Sequence, residues 1–208
     1  MISHKHKFIF IHIPGTAGTS IEHALEPYQE GSLSVDAGGE WHPTLEDRST
    51  IFRDYKSETH PCNFANVKHL RACDWKAILG NRYNDYWKFT IVRQPIEKAK
   101  SMIRFLQVHN VGDKSIKGSG KWFYDQKFYV TDTDGSVIVD DIYKFEDLAG
   151  AWKSICKKLN IKHNELGHWN DRSKVFNQEI KFNDGVLEEL KTELKADFEL
   201  FNYELDKG

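Results

Sequence analysis

The sequence predicts an α/β domain in three layers, a central parallel sheet with helices on both faces. Three observations carry that reading. Two short apolar runs rich in β-branched and aromatic residues, Lys7–Ile13 and Tyr86–Val92, read as buried strands. Each is followed by a turn and then by a helical pattern, and strands that alternate with helices argue for a largely parallel sheet. The 208 residues fit a single domain at roughly 100–200 residues per domain.

The elements follow in order. Lys7–Ile13 (KFIFIHI) stops at Pro14-Gly15-Thr16-Ala17-Gly18, after which Ile21, Ala24 and Leu25 share one helical face. Thr19 or Ser20 is the expected N-cap of that helix. Residues 29–66 have weak periodicity and the pair Gly38-Gly39, so they read as a long loop with one short helix near 44–55. Residues 72–79 look helical. Tyr86–Val92 leads through Arg93-Gln94 to Pro95, which suits the first position of a helix reaching about Gln107. Lys127–Val130 and Val137–Val139 flank a turn marked by Asp134-Gly135 and read as a hairpin. A strand at 141–145 and a helix at about 146–159 come next. The last element is one helix from Asp184 to about Phe198, with Leu187, Leu190, Leu194 and Phe198 at helical spacing.

Composition narrows the function classes. Lys and Arg number 29 against 31 Asp and Glu, a net charge of −2, so charge-driven nucleic-acid binding is not expected. The three cysteines, Cys62, Cys73 and Cys156, form no Cys-x-x-Cys pair, which argues against a disulfide framework or a zinc site and for a reducing compartment. The apolar run Phe8–Ile11 is too short for a signal-peptide core or a membrane span. A soluble, cytoplasmic protein without a membrane partner is the expectation. His4 and His6, in an N-terminal segment expected to be mobile, are two ligands without a third and make no metal site. Asp132-Thr133-Asp134-Gly135 lacks the later ligands of a calcium loop.

Two segments carry chemistry. Gly15, Thr16, Ala17, Gly18, Thr19 and Ser20 lie between a strand and a helix, where turn amides, the helix dipole and hydroxyl donors suit a phosphate or sulfate group. The Walker A pattern is not satisfied, because its Lys is missing. Arg93 follows the second strand, where ligands collect in open α/β sheets, and Ser101 lies two helical turns further on. An Arg fork and a hydroxyl make an anion clamp. Each segment also has a plain reading, as a tight turn or a surface ion pair.

Taken together, IFIHIPGTAGTSI and FTIVRQPIEKAKS resemble the two nucleotide-binding signatures of the sulfotransferase superfamily, in the branch of the heparan and uronyl 2-O-sulfotransferases. Weaker echoes lie in DIYKFEDL (141–148), His168–Lys174 and DFELFNY (197–203). The resemblance implies a P-loop nucleotide-binding-like fold and transfer of a sulfuryl group from PAPS (3′-phosphoadenosine 5′-phosphosulfate) to a hydroxyl of a small-molecule or carbohydrate acceptor. It implies that Gly15 to Ser20 hold the 5′ end, and that Arg93 and Ser101 bind the 3′-phosphate. It also implies a catalytic base at His69, in VKHLRACDWKAIL. His12 is expected under the loop as a structural hydrogen bonder, with His42, His60 and Glu40 as weaker base candidates. The family loop reads Pro-Lys-Thr-Ala-Gly-Thr-Ser, whereas position 15 here is Gly, and Lys68 and Lys121 are the candidates to supply the missing charge. Gln94 and Lys98 stand where the family usually has Asn or Asp and Arg. Trp122, Phe123 and Tyr124 could stack on an acceptor, and Lys114–Lys121 reads as a basic loop. Two alternatives remain open: a homologue that binds PAPS or its product PAP with impaired transfer, and a P-loop phosphotransferase using ATP and Mg²⁺.

Overall fold

The computed structural model describes residues 1–28, 69–109, 125–167 and 179–204. The expectations for 29–66, Lys68, 114–124 and 168–174 lie outside those residues, as does Cys62. Within them the chain forms a mixed α/β structure around a four-stranded sheet of order β1-β2-β3-β4. The strands are β1 (Ile2–Ser3), β2 (Phe8–Ile11), β3 (Trp87–Val92) and β4 (Asp141–Lys144). β2, β3 and β4 are parallel to one another, with Phe10 opposite Phe89 and Thr90 opposite Ile142. β1 runs antiparallel to β2.

Strand alternation sorts the apolar side chains into two cores, as the two-residue period of a strand requires. Phe8, Phe10, Phe89 and Ile91 pack with Ile21 and Leu25 of α1 (Gly18–Leu25) and with Trp152 and Ile155 of α5 (Leu148–Leu159). Ile9, Ile11 and Val92 face Trp75 and Leu79 of α2 (Ala72–Leu79), and Tyr129 and Val130 of the short α4 (Lys127–Val130). Helices therefore cover both faces of the sheet. The four residues of β2 are fully buried, worth about 1.5–3 kcal/mol for each side chain. A third cluster joins Ile96, Ala99 and Met102 of α3 (Pro95–His109) to Leu190 of α6 (Asp184–Glu193) and Phe198 of α7 (Lys195–Leu200).

Four details depart from the sequence expectations. The first helix begins at Gly18 with Ala17 as N-cap, so Thr19 and Ser20 are inside it. Lys127–Val130 is a helical turn, and the hairpin reduces to a tight turn closed by a single bridge, Thr131 to Val137. Carboxylates explain the change. Asp197 accepts the N–H groups of Gln126 and Lys127, and Asp125 accepts that of Phe128. First-turn amides captured in this way favour a helix over a strand. The single C-terminal helix is interrupted at Leu194, giving α6 and α7. The N-terminal segment is tied down: β1 pairs with β2, and His4 Nδ1 lies 2.6 Å from the Tyr86 hydroxyl. No helix among the described residues is long and apolar enough to cross a membrane.

Candidate functional site

β2 and β3 are adjacent and parallel, so the turns that leave their carboxyl ends come out side by side. The first of these turns is tightly wound. Gly15 and Ala17 both take left-handed backbone, with φ of 81° and 64°. For Ala17 that conformation costs about 1–2 kcal/mol. As N-cap it offers α1 no side-chain hydrogen bond, and the first turn carries no acidic residue. The Thr16 hydroxyl, expected to face a ligand, donates instead to the Ile13 carbonyl at 2.8 Å and braces the turn.

Beneath the turn lies a chain of polar groups. His12 is buried with its Nδ1 2.9 Å from Glu22 Oε1, itself on α1 and also buried. The His12 ring packs against Gly18, where an added Cβ would stand 2.1–2.2 Å from the nearest two ring atoms. That contact explains why position 18 has no side chain. The His69 ring meets the His12 ring edge-on at 4.6 Å, and His69 Nδ1 lies 3.0 Å from the His12 carbonyl oxygen. A carbonyl can only accept. Nδ1 of His69 therefore carries a proton, and in the neutral ring Nε2 holds the lone pair that a general base needs.

The second turn, after β3, starts helix α3. Pro95 occupies the first helical position, and the Gln94 side chain accepts from the Glu97 N–H at 2.8 Å, so Gln94 caps the helix as a shorter amide or carboxylate would. Arg93 is half-buried. Its guanidinium sits 4.2 Å from the centre of the Phe145 ring and reaches the Gly15 carbonyl at 3.4 Å. Among the described residues it has no carboxylate at ion-pair distance. Burial holds the guanidinium below its usual pKa, with Glu97 and Glu146 opposing and Arg104 adding to the depression. Ser101 Oγ lies 3.6 Å from the point where a Cβ at residue 15 would stand. The fold thus brings Gly15, Arg93 and Ser101 together and sets His69 beside the same turn through His12.

Other residues of the neighbourhood were not evident in the sequence: Gln126, Asp197, Glu146, Phe145 and Glu22. A signal existed for Asp197, a carboxylate set among the apolar residues Leu190, Leu194 and Phe198. Lys98 similarly interrupts the buried row Ile96, Ala99 and Met102 and is itself fully buried. An open cleft of about 510 Å³ runs along α2, lined in part by Arg71, Cys73, Lys76 and Thr133, and it includes neither the residues expected to bind the nucleotide nor His69. Its charges are internally paired, Arg71 with Asp74 and Lys76 with Asp132. Among the described residues no three His, Cys, Asp or Glu side chains cluster so as to hold a metal ion. No protein-family model, no curated protein and no solved structure matches the chain.

The arrangement suits an anion. A desolvated guanidinium without a carboxylate partner gains from any anion brought to it, and a helix N-terminus beside a strained turn adds oriented N–H dipoles. A histidine with its Nδ1 occupied by a carbonyl can take a proton on Nε2.

Proposed function

We propose that the protein is a PAPS-dependent sulfotransferase of P-loop-like architecture, acting on an acceptor hydroxyl. The observation that carries this reading is the meeting of Gly15, Arg93 and Ser101 at the ends of two adjacent parallel strands, with Arg93 half-buried and, among the described residues, without a carboxylate at ion-pair distance. In this scheme residues 15–20 receive the phosphosulfate, and Arg93 and Ser101 hold the 3′-phosphate. The acceptor hydroxyl passes its proton to His69 Nε2 as its oxygen bonds to sulfur. The bond from sulfur to the bridging oxygen breaks, and PAP leaves with that electron pair. Carbohydrate and small-molecule acceptors both fit this chemistry, and the cytoplasmic placement expected from the sequence belongs to the same proposal.

A second reading has an observation in its favour: nucleotide binding with impaired transfer. Gly15 has φ of 81°, and a Cβ there would stand 2.8 Å from Met102 Sδ. The turn is shaped around a glycine, so a lysine at this position is strained and the usual loop charge is absent.

Calorimetric titration with PAP tests the assignment. Micromolar binding is expected for the unaltered protein, weakened at least about tenfold in Arg93→Ala. His69→Ala should keep PAP affinity and slow transfer by about 10²-fold or more. No PAP binding by the unaltered protein overturns the assignment. Binding without turnover by the unaltered protein selects the second reading, and a large gain in rate in Gly15→Lys would show the site otherwise intact. Binding of ATP-Mg²⁺ but not PAP selects a phosphotransferase.

A further inference from the structure

Arg93 is not held by its own turn. Its backbone N–H donates to Gln126 Oε1 at 2.7 Å, and its carbonyl accepts from Gln126 Nε2 at 2.7 Å. One side-chain amide thus satisfies both main-chain groups of Arg93 from 33 residues away. Gln126 is fully buried and is fixed in turn by Asp197. The Asp197 carboxylate accepts from Gln126 N–H at 2.8 Å, from Lys127 N–H at 2.7 Å and from Gln126 Nε2 at 3.3 Å.

We infer that Gln126 and Asp197 are positioning residues for the anion-binding Arg93, linking the C-terminal helix α7 to the nucleotide site. This rests on the sulfotransferase reading and deepens it. Gln126 pairs with both main-chain groups of Arg93 the way a neighbouring strand would, one residue past the end of β3. With the backbone set, the guanidinium lies on Phe145 and points across the Gly15 carbonyl. An Arg fork binds phosphate well only when it is presented in one orientation, so the alignment appears as affinity. Buried Lys98 supports the arrangement as the positive charge facing Asp197, with Asp125 and Arg93 also near. Desolvation drives the Lys98 and Asp197 pKa values toward each other, lowering the first and raising the second.

The test compares adenosine 3′,5′-bisphosphate with adenosine 5′-monophosphate, which lacks the phosphate assigned to Arg93. Gln126→Met keeps the length of the side chain and removes both bonds to Arg93. It should weaken the bisphosphate by about tenfold and leave the monophosphate within about twofold. In an Arg93→Ala background the same change should cost nothing further, the mark of two residues acting as one unit. Asp197→Asn, which preserves shape, serves as the second variant if Gln126→Met does not fold. It should show the same selectivity to a smaller degree. Bisphosphate should also slow hydrogen exchange at the Gln126 and Lys127 amides, the two held by Asp197. Equal weakening of both nucleotides, or additivity with Arg93→Ala, overturns the positioning role and leaves the sulfotransferase reading standing. Failure of the unaltered protein to bind the bisphosphate overturns both.

Discussion

The two turns at the end of the sheet are held in opposite ways. The turn after β2 is held mainly from within: Thr16 bonds to Ile13, Gly18 packs on His12, and His12 meets Glu22, all inside eleven residues of sequence. The turn after β3 is held from far away. Gln126 fixes Arg93 from 33 residues along the chain, Asp197 fixes Gln126 across 71, and Glu146 accepts the Gln94 N–H across 52. A turn with local supports keeps its shape through its own residues, whereas the second takes its shape from three other elements. The contrast teaches where damage to the site would come from.

The largest stability effect should strike the remote supports. Lys98→Met removes the amine whose positive charge opposes the rise of the Asp197 pKa, and the loss is read by urea unfolding across the pH range. The loss carries a pH sign. Burial and Asp125 raise the Asp197 pKa in the folded state, so the unfolded chain gives up that proton first as pH rises. Stability is then lost as pH rises above 3.8 toward neutrality, and Lys98→Met should steepen that fall while Asp197→Asn flattens it. A pH-independent loss would mean that Lys98 acts by packing alone. Gly18→Ala attacks the local turn. Its methyl would enter the His12 ring, and the expected cost is about 2 kcal/mol, with the proposed transfer lost because His69 is displaced through His12. Thermal denaturation reads the first effect and a turnover assay the second. An unchanged melting temperature would show that His12 can move aside. The smallest effect should come from Tyr203→Phe, which removes the 2.8 Å bond to Glu146 Oε2 and should cost about 1 kcal/mol. If Tyr203→Phe weakens PAP more than it weakens the fold, the remote support extends to Gln94 through Glu146.

That same contrast governs what could be read from the sequence. β2, α2, β3 and α3 were legible because each is a run of residues whose own pattern decides its state, from KFIFIHI to Pro95. The turn after β2 and the place of Arg93 just past β3 were legible for the same reason. Lys127–Val130 misled because its β-branched and aromatic character favours a strand, while the carboxylate of Asp197, 70 residues on, captures its first amides. The C-terminal helix read as one because its apolar spacing continues through Leu194, where the backbone departs from helical geometry. His69 was singled out as a candidate base by the resemblance alone. Its tautomer was not legible, because the group that sets it is a backbone carbonyl 57 residues earlier.

The bond from Asp197 to Gln126 also bears on how the protein is made. A ribosome delivers the chain from the N-terminus, and β2, β3 and β4 have all emerged by Lys144. Arg93 cannot be seated at that stage, since the carboxylate that fixes Gln126 is still more than fifty residues from release. The sheet can pair during synthesis, but the proposed anion clamp closes only after nearly the whole described chain is free. Assembly of the clamp is then a late step of high contact order, and a nascent chain arrested before Asp197 would carry a paired sheet and an unset arginine.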